Sequence, residues 1–284
     1  MPLSLVILAA GLGRRFGGEK PLAPVGPSGE TLLDYAAYDA ARAGFGRVVF
    51  VIREEMVGAF TQAATRRYRD ALEVRFAVQY LEDVPVGTAA LKGRSAPWGT
   101  GHAVLAAEPH VTEELAVFNA DDFYGAEAYT AMASALAQGR DWAVIGYPLA
   151  TTLSPTGPVN RARLVVNSKG YVNDVQELRG IGPESGGLAP DTPVSMNAWG
   201  FNQDLFPWLH GEMGRFLTSE PGPEEEFVLA EAMREAIKVE AGRIKLLTPG
   251  ARWAGITRPD DVPRVKQFLA ELVREGKYPA PLWP

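Results

Sequence analysis

Apolar, β-forming stretches alternate with amphipathic stretches over the first 120 residues, and this alternation restricts the fold more than any other feature of the sequence. The apolar stretches predict four buried strands, at residues 3–9, 47–52, 74–80 and 115–119. The pattern between them predicts helices at residues 31–42 and 54–68. Strands separated by helices usually pair in parallel, so we predict an α/β fold with a Rossmann-like, mostly parallel mixed sheet flanked by helices. Ligands of such sheets bind beyond the carboxyl ends of the strands.

The pattern changes after residue 140, where short strands follow one another closely. Strands at residues 142–148, 162–166 and 170–176, with Gly170 in a turn, predict an antiparallel addition to the sheet. Residues 180–191 are rich in Gly, Pro and Ser and predict a loop. Further elements are predicted at residues 203–209, 224–239 and 259–275 (helices) and at 243–247 and 252–256 (strands). We find no internal repeat or linker, so we expect one domain over residues 1–257, with a C-terminal helix and tail at 258–284 packed on it.

Charge and composition exclude several classes of protein. The 284 residues include 28 Lys and Arg against 34 Asp and Glu, for a net charge of −6. Without a basic excess, we expect no nucleic-acid partner. The absence of cysteine excludes disulfides, thiolate-bound zinc and thiol nucleophiles. No apolar run is long enough to span a membrane, and residues 3–10 lack the basic segment of a secretory signal. We therefore expect a cytoplasmic protein without a membrane partner.

The first motif is the glycine-rich segment AAGLGRRFGGEKPL at residues 9–22, directly after the first predicted strand. Glycines allow the backbone to approach a ligand closely, so that its N–H groups can surround phosphate oxygens. The cations Arg15 and Lys20 follow the glycines. The segment lacks the Gly-Lys-Ser/Thr of a Walker A loop, and Phe16 stands where a dinucleotide fingerprint needs its third glycine. The two interpretations from the residues alone are a phosphate-binding loop and a tight turn.

This segment resembles the signature loop of the nucleotidyltransferases that act on sugar phosphates and related alcohol phosphates. The resemblance implies the nucleotide-diphospho-sugar transferase type of α/β fold and a loop that surrounds the triphosphate of an NTP. It implies catalytic roles for Arg15 and Lys20, and nucleotide-binding roles for Ala9, Ala10, Gly11 and Gly13. The short step from Arg15 to Lys20 is closer to the cytidylyl- and molybdopterin-nucleotide branches than to many sugar enzymes.

The second motif, PWGTGHAV at residues 97–104, is similar to the Gly-Thr-x-His-Ala segment of hexose-1-phosphate uridylyl- and thymidylyltransferases. By this resemblance Gly99 and Thr100 bind the nucleotide, with Thr100 also capping the helix that follows. Gln79, at the end of the third predicted strand, would read the base. The alternative is that Thr100 is only a cap and that His102 is a packed helix residue.

The third motif, FNADDFYG at residues 118–125, ends the fourth predicted strand. Adjacent carboxylates at a strand end suit Mg²⁺, which binds few carboxylates together with phosphate and water oxygens. The resemblance implies that Asp121 is the catalytic metal ligand and that Asp122 also belongs to the metal site, either behind Asp121 or bound to the metal through a water molecule. The alternative is that the two acids only cap a helix.

The resemblance is weaker in the second half of the chain. It implies sugar-binding roles for Glu177 and Asn197, although Leu178 and Arg179 stand where many relatives have Lys and Pro. The second metal ligand would be Thr257 or Asp260. Asp260 and Asp261 are also typical of the first turn of a helix. We expect Trp199 and Phe201 to belong to the core.

The function implied is Mg²⁺-dependent transfer of a nucleotide from an NTP, UTP first among the pyrimidines, to a sugar 1-phosphate with release of pyrophosphate. The chain is a possible homo-oligomer. One alternative is a cytidylyltransferase that acts on an alcohol phosphate or phosphocholine. Another is a non-catalytic relative that binds or senses nucleotides. A dehydrogenase would require the fingerprint that the glycine-rich segment lacks.

Overall fold

The chain folds around a mixed sheet that has nine strands in the described residues, with the strands in the order β10-β6-β9-β4-β1-β2-β3 and with β7 pairing with β8 and β9. This computed structural model describes residues 3–11, 20–68, 70–84, 93–155, 157–182 and 187–283, without the side chains of residues 20 and 62–66. The strands are β1 Leu3–Leu8, β2 Phe45–Ile52, β3 Glu73–Val78, β4 Leu115–Asn119, β6 Trp142–Pro148, β7 Val159–Val166, β8 Val172–Ile181, β9 Pro193–Phe201 and β10 Ile244–Leu247. A two-stranded sheet pairs β5 Asp122–Phe123 with β11 Ala254–Gly255.

The helices connect these strands. They are α1 Leu32–Ala43, α2 Val57–Tyr68, α3 Thr100–Ala106, α4 Ala126–Leu136, α5 Leu149–Thr152, α6 Leu205–Thr218, α7 Leu229–Lys238 and α8 Val262–Arg274. No helix among the described residues is long and apolar enough to cross a membrane.

The order of the strands confirms the predicted fold class. Strands β4, β1, β2 and β3 pair with one another in parallel, and β9 runs antiparallel to both β4 and β6. From β1 the chain first adds β2 and β3 on one side and then places β4 on the other. The crevice beyond the ends of β1 and β4 is therefore a switch point, the place where open α/β sheets bind their ligands.

Helices cover both faces of the sheet because its central strands are apolar on both faces. Val6 packs in a cluster with residues of α3, α6 and α7. Its neighbours Leu5 and Ile7 point the other way and pack against α1 and α4. All three side chains are fully buried. The sequences of strands that are buried on both faces are continuous apolar runs, and β1 and β4 were therefore predictable from sequence.

A third apolar cluster attaches the C-terminal part of the chain. It joins Leu269 of α8 and Tyr278 to Tyr35 of α1 and Phe123 of β5. The rings of Tyr35 and Tyr278 lie edge to face with centroids 5.1 Å apart. Because Phe123 directly follows Asp122, this cluster is next to the strand end that carries the paired acids.

Helices α6 and α7 differ most from their predicted bounds. Helix α6 extends to Thr218 instead of ending at residue 209. Helix α7 begins at Leu229 instead of residue 224, because Phe227 bonds to another part of the chain: it donates its N–H to the Trp98 carbonyl (2.6 Å) and accepts the N–H of Gly101 (2.9 Å). Gly170 lies in the predicted turn with φ of 82°.

Candidate active site

The ends of β1 and β4 meet at the switch point of the sheet. Ala9 donates its N–H to the Val51 carbonyl (2.8 Å), and Ala120 donates to the Leu8 carbonyl (3.1 Å). The start of the glycine-rich segment and the Asp121–Asp122 pair are thereby on adjacent strand ends. Ala9 and Ala10 are buried, whereas Gly11 is exposed.

The rest of the glycine-rich segment is described only in part. Gly13 and Arg15 lie outside the described residues. The backbone of Lys20 begins a single 3-10 turn, Lys20–Leu22, but its side chain is outside the described part. The roles of Gly13, Arg15 and Lys20 therefore stay predictions.

A chain of hydrogen bonds holds Asp122 in place. Asn119 donates from Nδ2 to Asp122 Oδ2 (3.0 Å), and its Oδ1 accepts from Asn197 Nδ2 (2.8 Å). The Oδ1 of Asn197 in turn accepts from the indole N–H of Trp199 (3.0 Å). An indole only donates and an ionised carboxylate only accepts, so the orientations of both amides are fixed.

A buried tyrosine reinforces this corner. The Tyr124 hydroxyl donates to the Met196 carbonyl (2.7 Å) and accepts from the backbone N–H of Asn119 (3.0 Å). Asn197 has a left-handed backbone with φ of 63°, a conformation that asparagine tolerates better than most residues. The sequence analysis assigned no role to Asn119 or Tyr124. Asn119 could have been identified as a site residue, because it is a polar residue at the end of an apolar strand.

The two-stranded sheet brings the 254–257 segment to the acidic pair. Gly255 is opposite Asp122 in the ladder, and Ile256 donates its N–H to the Asp121 carbonyl (3.0 Å). Thr257 is the next residue in the chain, whereas Asp260 is exposed on the following 3-10 turn. This segment is therefore adjacent to the acidic pair. The assignment of Thr257 or Asp260 as a second metal ligand stays a prediction.

Asp261 has the helix-start role that its position predicted. Its Oδ2 accepts the backbone N–H groups of Thr257 and Arg258, each at 2.8 Å. Asp261 is buried. The carboxylate thus satisfies donors that would otherwise be unpaired at the start of the 3-10 turn Pro259–Asp261, which leads into α8.

The donor set at this corner suits Mg²⁺. No three histidine or acidic side chains converge as a metal-binding group among the described residues. For Mg²⁺ the protein would supply the adjacent carboxylates Asp121 and Asp122 and leave the other positions to water and phosphate oxygens. That is the usual composition of a magnesium site.

The residues predicted to meet the base lie together at the end of β3. Gln79 donates from Nε2 to the Gly99 carbonyl and to His102 Nδ1, each at 3.1 Å. His102 Nε2 is 2.7 Å from the Asp83 carbonyl, so it is the protonated nitrogen of a neutral ring. Burial lowers the pKa of His102, which keeps it neutral. His102 is thus a packed helix residue that orients Gln79.

The glycines of the second motif have a structural role inside the chain. A Cβ on Gly99 would be 2.8 Å from the Phe227 carbonyl oxygen, and Gly99 has a φ of 105°. A Cβ on Gly101 would be 2.6 Å from the Phe227 ring. The prediction that Thr100 caps α3 is wrong, because Thr100 is the first residue of α3 and Gly99 is its N-cap. The Thr100 hydroxyl instead accepts the N–H of Leu229, the first residue of α7 (2.9 Å).

We expect Gly101→Ala to destabilise the protein by about 1–3 kcal/mol, because the new methyl group would overpack the contact with the buried Phe227 ring. Gly211→Ala is the matched control: Gly211 is exposed in the interior of α6, and a Cβ there would meet nothing within 4 Å. That control should stabilise by roughly 0.5–1 kcal/mol. Denaturant unfolding of both variants measures the difference, and equal stabilities would contradict this account.

The predicted sugar-side residues occupy neighbouring strands. Glu177 on β8 is opposite Ala162 of β7, and Ala162 is opposite Ser195 of β9. Asn197 follows two residues later on β9, with its amide bonded to Asn119 and Trp199. Glu177 and Arg179 are exposed. Trp199 and Phe201 are fully buried, as expected of core residues.

Residues 5–164 match the sequence model of the MobA-like NTP transferase domain, and the chain therefore belongs to this family. No curated protein sequence matches the chain. A UDP-glucose pyrophosphorylase solved in complex with UDP-glucose is similar in structure, with a TM-score of 0.66, 18% identity, and coverage of 95% of this chain and 99% of that one. The inositol-1-phosphate CTP transferase from T. maritima has a TM-score of 0.66, 14% identity and 95% coverage of both chains. At these identities the two structures establish a shared fold.

Proposed function

We propose that this protein transfers a nucleotidyl group from a pyrimidine NTP, UTP first, to a sugar 1-phosphate and releases pyrophosphate. One observation carries the proposal. The start of the glycine-rich segment, at Ala9–Gly11, and the paired acids after β4 are on adjacent strand ends, at the point where α/β sheets bind ligands. This arrangement, in a chain that belongs to the MobA-like NTP transferase domain family, supports an NTP site there.

The chemistry requires positioning and charge neutralisation more than acid–base catalysis. A phosphate oxygen of the acceptor attacks the α-phosphorus of the NTP in line, forming a new P–O bond, while the bond to the pyrophosphate breaks. The attacking oxygen is already anionic, so no strong base is needed. The role of His102 fits this scheme, since both ring nitrogens are engaged within the protein.

Two groups of charged side chains would have different roles in this reaction. Arg15 and Lys20 would stabilise the negative charge of the departing pyrophosphate. Asp121 and Asp122 would hold Mg²⁺, which neutralises phosphate oxygens when bound. Asn119 would keep Asp122 oriented through its hydrogen bond to Oδ2.

The hydrogen bonds that Gln79 makes within the protein restrict which edge of a nucleotide base it can bind. Its Nε2 already has two acceptors within the protein, so the side chain offers a base its carbonyl oxygen. The N3–H of uracil and the N4 amine of cytosine both complement an acceptor. A cytidylyltransferase acting on a polyol phosphate is therefore the second candidate, and the similar fold of the inositol-1-phosphate CTP transferase favours it.

Thermal unfolding with each NTP, with NAD and without ligand tests the proposal, each with and without Mg²⁺. A pyrimidine NTP at about a hundred times its Kd should add roughly 2.7 kcal/mol to the free energy of unfolding. In Asp121→Ala the part of this gain that depends on Mg²⁺ should disappear. Stabilisation by no NTP would contradict the transferase proposal, and stabilisation by NAD alone would favour a dehydrogenase.

A further inference from the structure

A half-buried arginine next to the acidic corner has no acidic partner within salt-bridge distance in the part of the chain that the structure describes. Arg161 on β7 donates from Nη1 to the Asn160 carbonyl (2.7 Å) and from Nη2 to the Thr152 carbonyl. Its Nε has no hydrogen-bond partner among the described residues. Burial lowers the pKa of Arg161, and the carboxylates of Asp122 and Glu177 only partly offset this. Charged side chains removed from water are normally paired, so this arrangement needs an explanation.

The surroundings of Arg161 place it beside the proposed reaction centre. Its guanidinium carbon is 5.4 Å from the centre of the Trp253 ring, within the range of a cation–π contact. The ring of Trp253 and Oδ1 of Asp122 both pack against the same side of Gly255, where a Cβ would clash with each. The aromatic ring therefore joins Arg161 to the Asp122 corner. The indole N–H of Trp253 also has no acceptor in the described part of the chain.

We propose that Arg161 binds the phosphate of the acceptor, so that a phosphomonoester dianion is held next to Asp122. This inference rests on the proposed transferase function and assigns the acceptor phosphate to a residue that sequence reasoning did not single out. A guanidinium fork matches two phosphate oxygens, and the Trp253 ring lies 5.4 Å from the guanidinium carbon. Arg179, the cation that the sequence offered for this side, is exposed on β8. In the sequence, an arginine in a half-exposed strand cannot be distinguished from an ordinary surface arginine.

The test compares Arg161→Gln with Arg163→Gln, which removes the same charge two residues further along β7. Inorganic phosphate is the probe, titrated by calorimetry in the presence of saturating NTP and Mg²⁺, so that the triphosphate loop is already occupied. Arg161→Gln should weaken phosphate binding roughly 10- to 100-fold, the effect of losing hydrogen bonds from a charged donor. Arg163→Gln should change it by less than about twofold. The Kd of the NTP should be unchanged in both variants.

Arg161→Lys keeps the test decisive if the glutamine variant fails to fold. A lysine keeps the charge but loses the fork, so an intermediate phosphate affinity is expected. Equal phosphate affinities in Arg161→Gln and Arg163→Gln would overturn the proposal. A parallel loss of NTP affinity would also overturn it, because Arg161 would then support the whole site. If the wild-type chain binds no NTP, the transferase function itself fails, and phosphate titrations without NTP still compare the two glutamine variants.

Discussion

Asp121→Ala is expected to reduce kcat/KM by roughly 10²–10⁴-fold while leaving the fold intact. Asp121 follows β4 at the switch point, and Ile256 is bonded to its carbonyl rather than to its side chain. Removal of the carboxylate should therefore spare the two-stranded sheet. It should also remove the group through which divalent cations strengthen NTP binding. Steady-state kinetics and NTP titrations with and without Mg²⁺ measure both effects.

Two further variants make this result specific. Asp204→Ala removes an exposed acid at the start of α6 that has no assigned role in the site, and it should leave turnover within a few-fold of wild type. Lys20→Ala should reduce turnover as strongly as Asp121→Ala, if the glycine-rich segment binds the triphosphate as its sequence predicts. Near-normal rates in both Asp121→Ala and Lys20→Ala would rule out the assigned site.

Asp39→Asn is expected to stabilise the protein above neutral pH. Asp39 is 1% exposed within α1. Burial raises its pKa to about 7, although the Tyr278 hydroxyl donates to Oδ2 (2.7 Å) and partly opposes this. The native state therefore holds its proton more tightly than the unfolded chain does. The free energy of unfolding should then fall as the pH rises from about 4 to about 7, by up to about 4 kcal/mol in total.

The asparagine variant removes the charge that is costly to bury. At pH 8 it should be more stable than wild type by about 1–3 kcal/mol, after allowing for a newly buried amide donor. Most of the fall in the free energy of unfolding between pH 5 and pH 8 should also be absent in this variant. Urea unfolding at both pH values tests this, with the exposed Asp204→Asn as control. A wild-type stability that is the same at pH 5 and pH 8 would contradict the prediction.

The first half of the fold was predictable from the alternation of apolar and amphipathic stretches and from the polar motifs at the ends of the apolar ones. The strands β1 and β4 are apolar on both faces, so their sequences are continuous apolar runs that end in polar motifs. The rule that ligands bind beyond such ends then placed Gly11 and Asp121 together without knowledge of any contact. The strand order around β1 confirms this placement.

Contacts distant in sequence account for what the sequence did not predict. The helix predicted at residues 203–209 continues to Thr218 as α6, because Met213 and Leu217 pack into the core. The later start of α7 follows from the pairing of Phe227 with Trp98, more than a hundred residues away. The role of Asn119 depends in the same way on Asn197.

The one-way series of hydrogen bonds from Trp199 to Asp122 restricts how this corner can change over evolution. Each amide accepts from one neighbour and donates to the next, so a replacement that reverses one member would leave two like groups facing each other. Asn119 and Asn197 are 78 positions apart. Relatives that keep Asp122 should therefore keep both asparagines, or replace them together, so that these distant positions vary as a pair.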